Sequence, residues 1–98
     1  MSAFDVEVLA DAEEEAREAF LWYLGRSPIA ADAFRLELLE AIDGLAITAA
    51  NWPCDEDGIR KYHLKHFPYT LMYELIGTEV TVLAVAHQRR RPAYWRDR

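Results

Sequence analysis

The chain opens on an alternation, with Phe4, Val6 and Val8 apolar and Asp5 and Glu7 acidic between them. A period of two over Phe4 to Leu9 predicts a strand with one buried face. The period then lengthens: Ala12, Ala16, Phe20 and Tyr23, with Ala19 and Leu24, recur at helical spacing, and Gly25 is a natural stop. Asp11 has the chemistry of an N-cap, with Glu14 three residues on to complete a capping box. Glu13, Glu14 and Glu15 carry charge of the sign that a helix N-terminus favours. Ser27-Pro28 then supplies the cap and first residue of a second helix, whose Phe34, Leu38, Ile42 and Leu45 lie along one face. So short a connection predicts an antiparallel helical hairpin.

Pro53 and Gly58 end that helical pattern in a loop, and from Ile59 the period returns to two. Tyr62 and Leu64 fall on one side of a strand, Lys61, His63 and Lys65 on the other. Tyr69, Leu71, Tyr73 and Leu75 mark a second alternating strand, with Pro68 as the turn or edge residue before it. Ile76-Gly77-Thr78 reads as a hairpin turn into EVTVLAVAH, apolar almost throughout, which fits a central strand covered on both faces. The order β-α-α-β-β-β predicts a two-layer α+β domain spanning residues 1–98: an N-terminal strand, a helical hairpin, and a three-stranded antiparallel meander. Topology rules place the first strand beside the last.

Composition narrows the function classes. Ninety-eight residues, 52% of them hydrophobic, suffice for one domain with a real core. No apolar run reaches the length of a membrane span, and the start MSAFDVEVLADAEEE lacks the basic segment and apolar run of a secretory signal. A single cysteine, Cys54, forms no internal disulfide, so a cytoplasmic location is expected. The net charge of −6 is unevenly spread. Residues 1–58 carry fourteen acids against three bases, whereas residues 59–98 carry eight bases against three acids. A globally acidic chain is a poor general binder of nucleic acid, yet its basic half can still form one local positive surface. No Gly-rich phosphate loop is present, and no Cys, His and carboxylate set has ligand spacing, so neither cofactor nor metal is expected. His63 and His66 fall on opposite sides of a strand, a poor metal pair, and Cys54 has no evident activating cation.

Two runs in the C-terminal half carry a family likeness. Phe67 to Tyr73 reads F-P-Y-T-L-M-Y, and Val82 to Trp95 reads V-L-A-V-A-H-Q-R-R-R-P-A-Y-W. In their order, and after a helical hairpin, these resemble the RelE/ParE family of toxins, with the ParE-like branch the closer. The resemblance implies the toxin of a type II toxin–antitoxin pair, associated with growth inhibition and plasmid stabilisation. It implies a cognate antitoxin that wraps the toxin through an amphipathic helix and an extended strand, giving a hetero-oligomer. Two targets stay open: DNA gyrase, associated with the ParE-like branch, and messenger RNA on the ribosome. A third reading is a non-toxic member that retains antitoxin binding only.

Metal-free RNA cleavage needs a group to take the 2′-OH proton, cations for the phosphorane and an acid for the leaving oxygen. The resemblance assigns these to Lys65, with His63 nearby, to Arg89 and to Tyr94; an arginine expected on the third strand is replaced by Thr70. That loss, with a pI near 4.9, weighs toward a toxin that acts by binding. The binding residues are then Arg89, Arg90 and Arg91, suited to bidentate carboxylate pairing, with Trp95 and Trp22. Pro92, Tyr94 and Trp95 are read as anchors that pack the tail, and His87 as a hydrogen-bonded histidine near the core. Trp22 is read as partly buried, or as part of an apolar stripe for antitoxin docking or dimerisation.

Overall fold

The computed structural model describes residues 3–97; Met1, Ser2 and Arg98, the last base of the tail, lie outside the described residues. Strand β1 (Asp5–Val8) leads into helices α1 (Ala10–Leu24) and α2 (Pro28–Thr48), then a 3-10 turn, Ala49–Asn51. Strands β2 (Ile59–His63), β3 (Tyr69–Ile76) and β4 (Glu79–His87) follow, and a second 3-10 turn, Tyr94–Asp97, closes the tail. The sheet order is β1-β4-β3-β2. β1 runs parallel to β4, with Val6 opposite Val80 and Val8 opposite Val82, while β2, β3 and β4 form the antiparallel meander. The two-layer α+β arrangement is as the sequence pattern predicts, and β1 lies beside the last strand, where topology rules placed it.

The helical hairpin covers one face of this sheet. Phe34, fully buried, is ringed by Tyr23, Phe67 and Tyr69 at centroid distances of 5.3–5.4 Å, so α1, α2 and the β2–β3 connection meet on one aromatic cluster. Leu38, Leu45, Leu71, Tyr73, Val80, Val82 and Val85 extend the core beneath it. Tyr73 donates its hydroxyl proton to the carbonyl of Ala49 at 2.6 Å, which fastens the end of α2 to the middle of β3. Burial of this phenol pushes its pKa up to about 12.

Two local departures from expectation have physical causes. Helix α1 starts at Ala10, with Leu9 as its N-cap, and no side chain caps it. The Leu9 N–H still belongs to the sheet, bonding Val82 O at 3.1 Å, and the Leu9 carbonyl accepts the first helical bond from Glu13. Asp11 therefore sits in the first turn, where its charge still complements the helix dipole, and is not the cap. Gly25 does end α1, but in right-handed conformation (φ −65°), so its left-handed freedom is not used. Ser27 caps α2 as expected: its Oγ accepts from Ala30 N at 3.2 Å, ahead of Pro28 in the first turn. The glycines that do need positive φ are Gly58 (+83°) and Gly77 (+62°), in the turns that enter β2 and β4.

Candidate functional site

The all-apolar β4 conceals a change of phase. Tyr73 pairs with Val82 and Met72 with Ala84, so Leu83 is an extra residue bulged out of the ladder. Val80, Val82 and Val85 therefore share the helix-covered core, and Ala84 and Ala86 turn to the other face, buried there as well. The short β1 pairs with β4 only as far as Val82. Past the bulge no strand among the described residues continues that pairing. Instead Glu15, from α1, accepts from Val85 N at 3.0 Å, and the same carboxylate accepts a short hydrogen bond from the Tyr94 hydroxyl. Glu15 thus stands in for a missing strand and fastens the tail to the first helix. The Arg90 guanidinium stacks over the Tyr94 ring at 3.9 Å, within cation–π range.

The tail starts with a tight turn at His87. Its Nδ1 accepts from Arg89 N at 3.0 Å, which makes that nitrogen the unprotonated one and puts the ring proton of the neutral imidazole on Nε2. The ring packs edge-on against Tyr69 at 5.1 Å. Beyond it, Arg91 to Trp95 cross the sheet face that the hairpin leaves bare, enclosing a cavity over Lys61, His63, Thr70, Met72 and Ala86. Thr70, placed where the resemblance expects an arginine, is buried and bonds His63 Nδ1 through its hydroxyl at 2.6 Å. Ala93 takes a left-handed φ of 59° to make the bend, and Arg96 bridges to Asp57 at 3.0 Å, pinning the far end beside the loop that enters β2.

At the opposite edge of the sheet, β2 is flanked by a groove under Trp52, Pro53 and Cys54 that also exposes Lys61, His63 and Lys65. Asp55 shapes its entrance, accepting from Asp57 N and Ile59 N at 2.9 Å each. The β2–β3 connection is clamped by Glu37 of α2, which accepts from Lys65 N (2.6 Å), His66 N (3.2 Å) and the His66 ring (2.6 Å). Burial raises the Glu37 carboxyl, but the His66 ring and these two N–H groups outweigh it and leave its pKa below the usual value.

The outer side of the hairpin is unusually apolar for a surface. Ile29 is 83% exposed, Ile47 64%, Leu36 52% and Trp22 52%, with Leu21, Leu24 and Leu39 also exposed. Trp22 is about half covered, by the Arg26 guanidinium at 3.6 Å and by Tyr23 edge-on at 5.1 Å. Between the helices Ala16, Phe20, Phe34, Leu38 and Leu39 line an apolar groove, with Arg17 and Arg35 at its borders.

The residues singled out from the sequence are dispersed by the fold. Tyr94 and Arg90 line both the cavity over the bare sheet face and a second tail cavity, between α1 and β4 beside Glu18, Trp22, Tyr69 and His87, whereas Arg91 lines the first alone. Lys65 lines the grooves beside β2 and α2, and shares no described cavity with Tyr94. Arg89 is exposed and borders neither tail cavity. Trp95 is half-buried under the tail, while Trp22 stands at the border between hairpin and tail. Glu15 and Glu37, which organise these surfaces, were not singled out: a run of three glutamates at a helix start reads as dipole compensation and gives no sign of a tertiary partner. Among the described residues no three His, Cys, Asp or Glu side chains gather as a metal site, and no helix is long and apolar enough to cross a membrane.

Comparison with known proteins adds the family. The family described as the ParE toxin of the type II toxin–antitoxin system, parDE, matches residues 6–92, and the chain belongs to it. A search of curated proteins returns no match. Among solved structures, a chain of the chromosomal ParDE TA system from P. aeruginosa is similar at a TM-score of 0.76 and 17% identity. The likeness covers 87% of this chain and 96% of that one, and shows the shared fold.

Proposed function

We propose that this member of the ParE toxin family acts in the cytoplasm by binding a cellular protein, with DNA gyrase as the target. In this reading a cognate antitoxin silences it by laying an amphipathic helix on the α1–α2 hairpin. The observation that carries the reading is the row of exposed Ile29, Leu36, Leu39 and Ile47 along α2, beside the apolar groove it forms with α1. Several large apolar side chains exposed in one row beside an apolar groove support a protein-binding face, and helix-in-groove docking is a recurrent way to cover one.

The dispersal of Lys65, Arg89 and Tyr94 also favours binding over cleavage. An in-line attack on a phosphodiester needs base, cation and acid each within hydrogen-bond reach of the same scissile group. Here Tyr94 is engaged by Glu15 and Lys65 lies in other grooves. One observation keeps the ribosome-dependent messenger RNA endoribonuclease as a second reading: Lys61, His63, Arg91 and Tyr94 do line a common cavity over the bare sheet face.

The test is a pair of reactions with the purified chain. One adds it to DNA gyrase, ATP and relaxed plasmid, and the other to ribosomes programmed with messenger RNA. Inhibited supercoiling with intact messenger is the expected result. Cleaved messenger with normal supercoiling would replace it with the nuclease reading, and no effect on either would leave antitoxin binding as the remaining function of the fold.

A further inference from the structure

The outward line of α2 carries more than apolar residues, and its charges specify what can cover it. At 100° per residue, Ile29, Leu36 and Ile47 fall within about 20° of one line, and the buried Phe34, Leu38 and Leu45 centre about 160° away. The exposed Ile and Leu therefore point away from the core. Glu40 and Asp43 lie in the 36–47 gap of the same line, and Asp32 lies one turn into it beside Ile29. All three carboxylates are exposed, and Arg35 is the exposed base of this helix. Residues 10–48 as a whole carry nine acids and three bases, so the hairpin is net acidic, with Arg17 and Arg35 set at the borders of the groove between the helices. The basic half of the chain is spent elsewhere, on β2 and on the tail across the bare sheet face.

We infer that the occupant of this ridge is a basic amphipathic helix: an apolar stripe of about 18 residues, about 27 Å long, bordered at its centre by Lys or Arg side chains that meet Glu40 and Asp43. The inference rests on the proposed antitoxin docking and adds the chemistry of the docking segment. An acidic helix of the same shape is excluded by like charge against Asp32, Glu40 and Asp43, which acts as a specificity filter. A second copy of this chain is excluded by the same argument, because two α2 ridges face to face would bring six carboxylates together around the apolar contacts.

The experiment titrates two synthetic helical peptides against the full chain by fluorescence anisotropy. They share one apolar stripe and differ in the flanking positions, lysine in one and glutamate in the other. At low salt the lysine peptide should bind about tenfold more tightly, the combined effect of three exposed ion pairs each worth a few-fold at most. That margin should collapse near 1 M salt, where screening is nearly complete. The Glu40→Lys/Asp43→Lys double variant should reverse the preference. A double variant with the same charge change on other surfaces, Glu13→Lys/Glu56→Lys, should retain it. Circular dichroism of each variant confirms that the fold is kept.

The inference is overturned if the glutamate peptide binds as tightly as the lysine peptide, or if the control variant reverses the preference as effectively as the ridge variant. A dimer of the free chain that Leu36→Asp dissolves would assign the ridge to a second copy and overturn it as well. Binding of neither peptide overturns the ridge as a helix-docking face, while the gyrase and ribosome reactions judge the toxin reading separately.

Discussion

Replacing Glu15 by alanine probes the substitute strand directly. Its carboxylate serves two donors from two other parts of the fold, Val85 N–H in β4 and the Tyr94 hydroxyl in the tail. Val85 is 2% exposed, so its N–H becomes a buried donor without a partner, a loss of about 1–3 kcal/mol. Tyr94 is half-buried and can turn to water, so losing its acceptor adds only about 0.5–1 kcal/mol. The sixth residue of α1 lies beyond the turn where the helix dipole acts, so that contribution is negligible. Glu15→Ala should therefore cost about 2 kcal/mol, which for a domain of this size lowers Tm by roughly 8–16 °C. Glu15→Gln, which keeps one acceptor oxygen, should cost about half as much.

Urea unfolding gives the free energies, and an unchanged m-value would show that the native state stays compact. In a double-mutant cycle with Tyr94→Phe the coupling should be about 1 kcal/mol. A Glu15→Ala protein within about 0.5 kcal/mol of the parent, the usual range for an unremarkable surface change, would refute the view that this side chain completes the sheet edge.

Three further changes test separate fastenings. Tyr73→Phe leaves the buried Ala49 carbonyl without its 2.6 Å donor and should cost about 1–2 kcal/mol in urea unfolding. It should also flatten the alkaline limb. Because the folded pKa of Tyr73 is raised to about 12 and the unfolded value is about 10, its contribution is whole below pH 10 and is lost between the two in the parent alone. Glu37→Gln should loosen the β2–β3 connection and flatten the acid limb. A carboxyl held below its ordinary pKa stabilises above the unfolded value and loses that stability as pH falls through the folded one, so stability profiles below about pH 4.3 should differ. Ser27→Ala removes the Ala30 N–H acceptor at the start of α2 and should cost about 1 kcal/mol by the same unfolding assay.

Much of this fold was legible in periodicity, and what was not has physical reasons. The switch from period two to helical spacing and back placed β1, both helices, β2 and β3, because each has one mainly buried face. Ser27-Pro28 marked the α2 start, because local chemistry decides a cap. At α1 the sheet overrode that chemistry: a tertiary bond from Leu9 N to Val82 O fixed the start ahead of Asp11. In β4 an unbroken apolar run has no phase to read, so the bulge at Leu83 and the turning of Ala84 and Ala86 to the far face left no trace. The candidate site was less legible still. Lys65, Arg89 and Tyr94 were matched by their places along the chain, yet one follows the outer edge strand and the others a central strand and a tail that bends at Ala93. The roles of Glu15 and Glu37 exist only once distant segments meet.

The proposed function is that of a toxin that works by binding and not by cutting RNA. Its most direct measurement is induced expression in a bacterium lacking the antitoxin, following growth, DNA damage signalling and the integrity of translated transcripts in one culture. Growth arrest with a DNA damage response and intact transcripts is the predicted result. Arrest with rapid loss of translated transcripts and no damage response would contradict it.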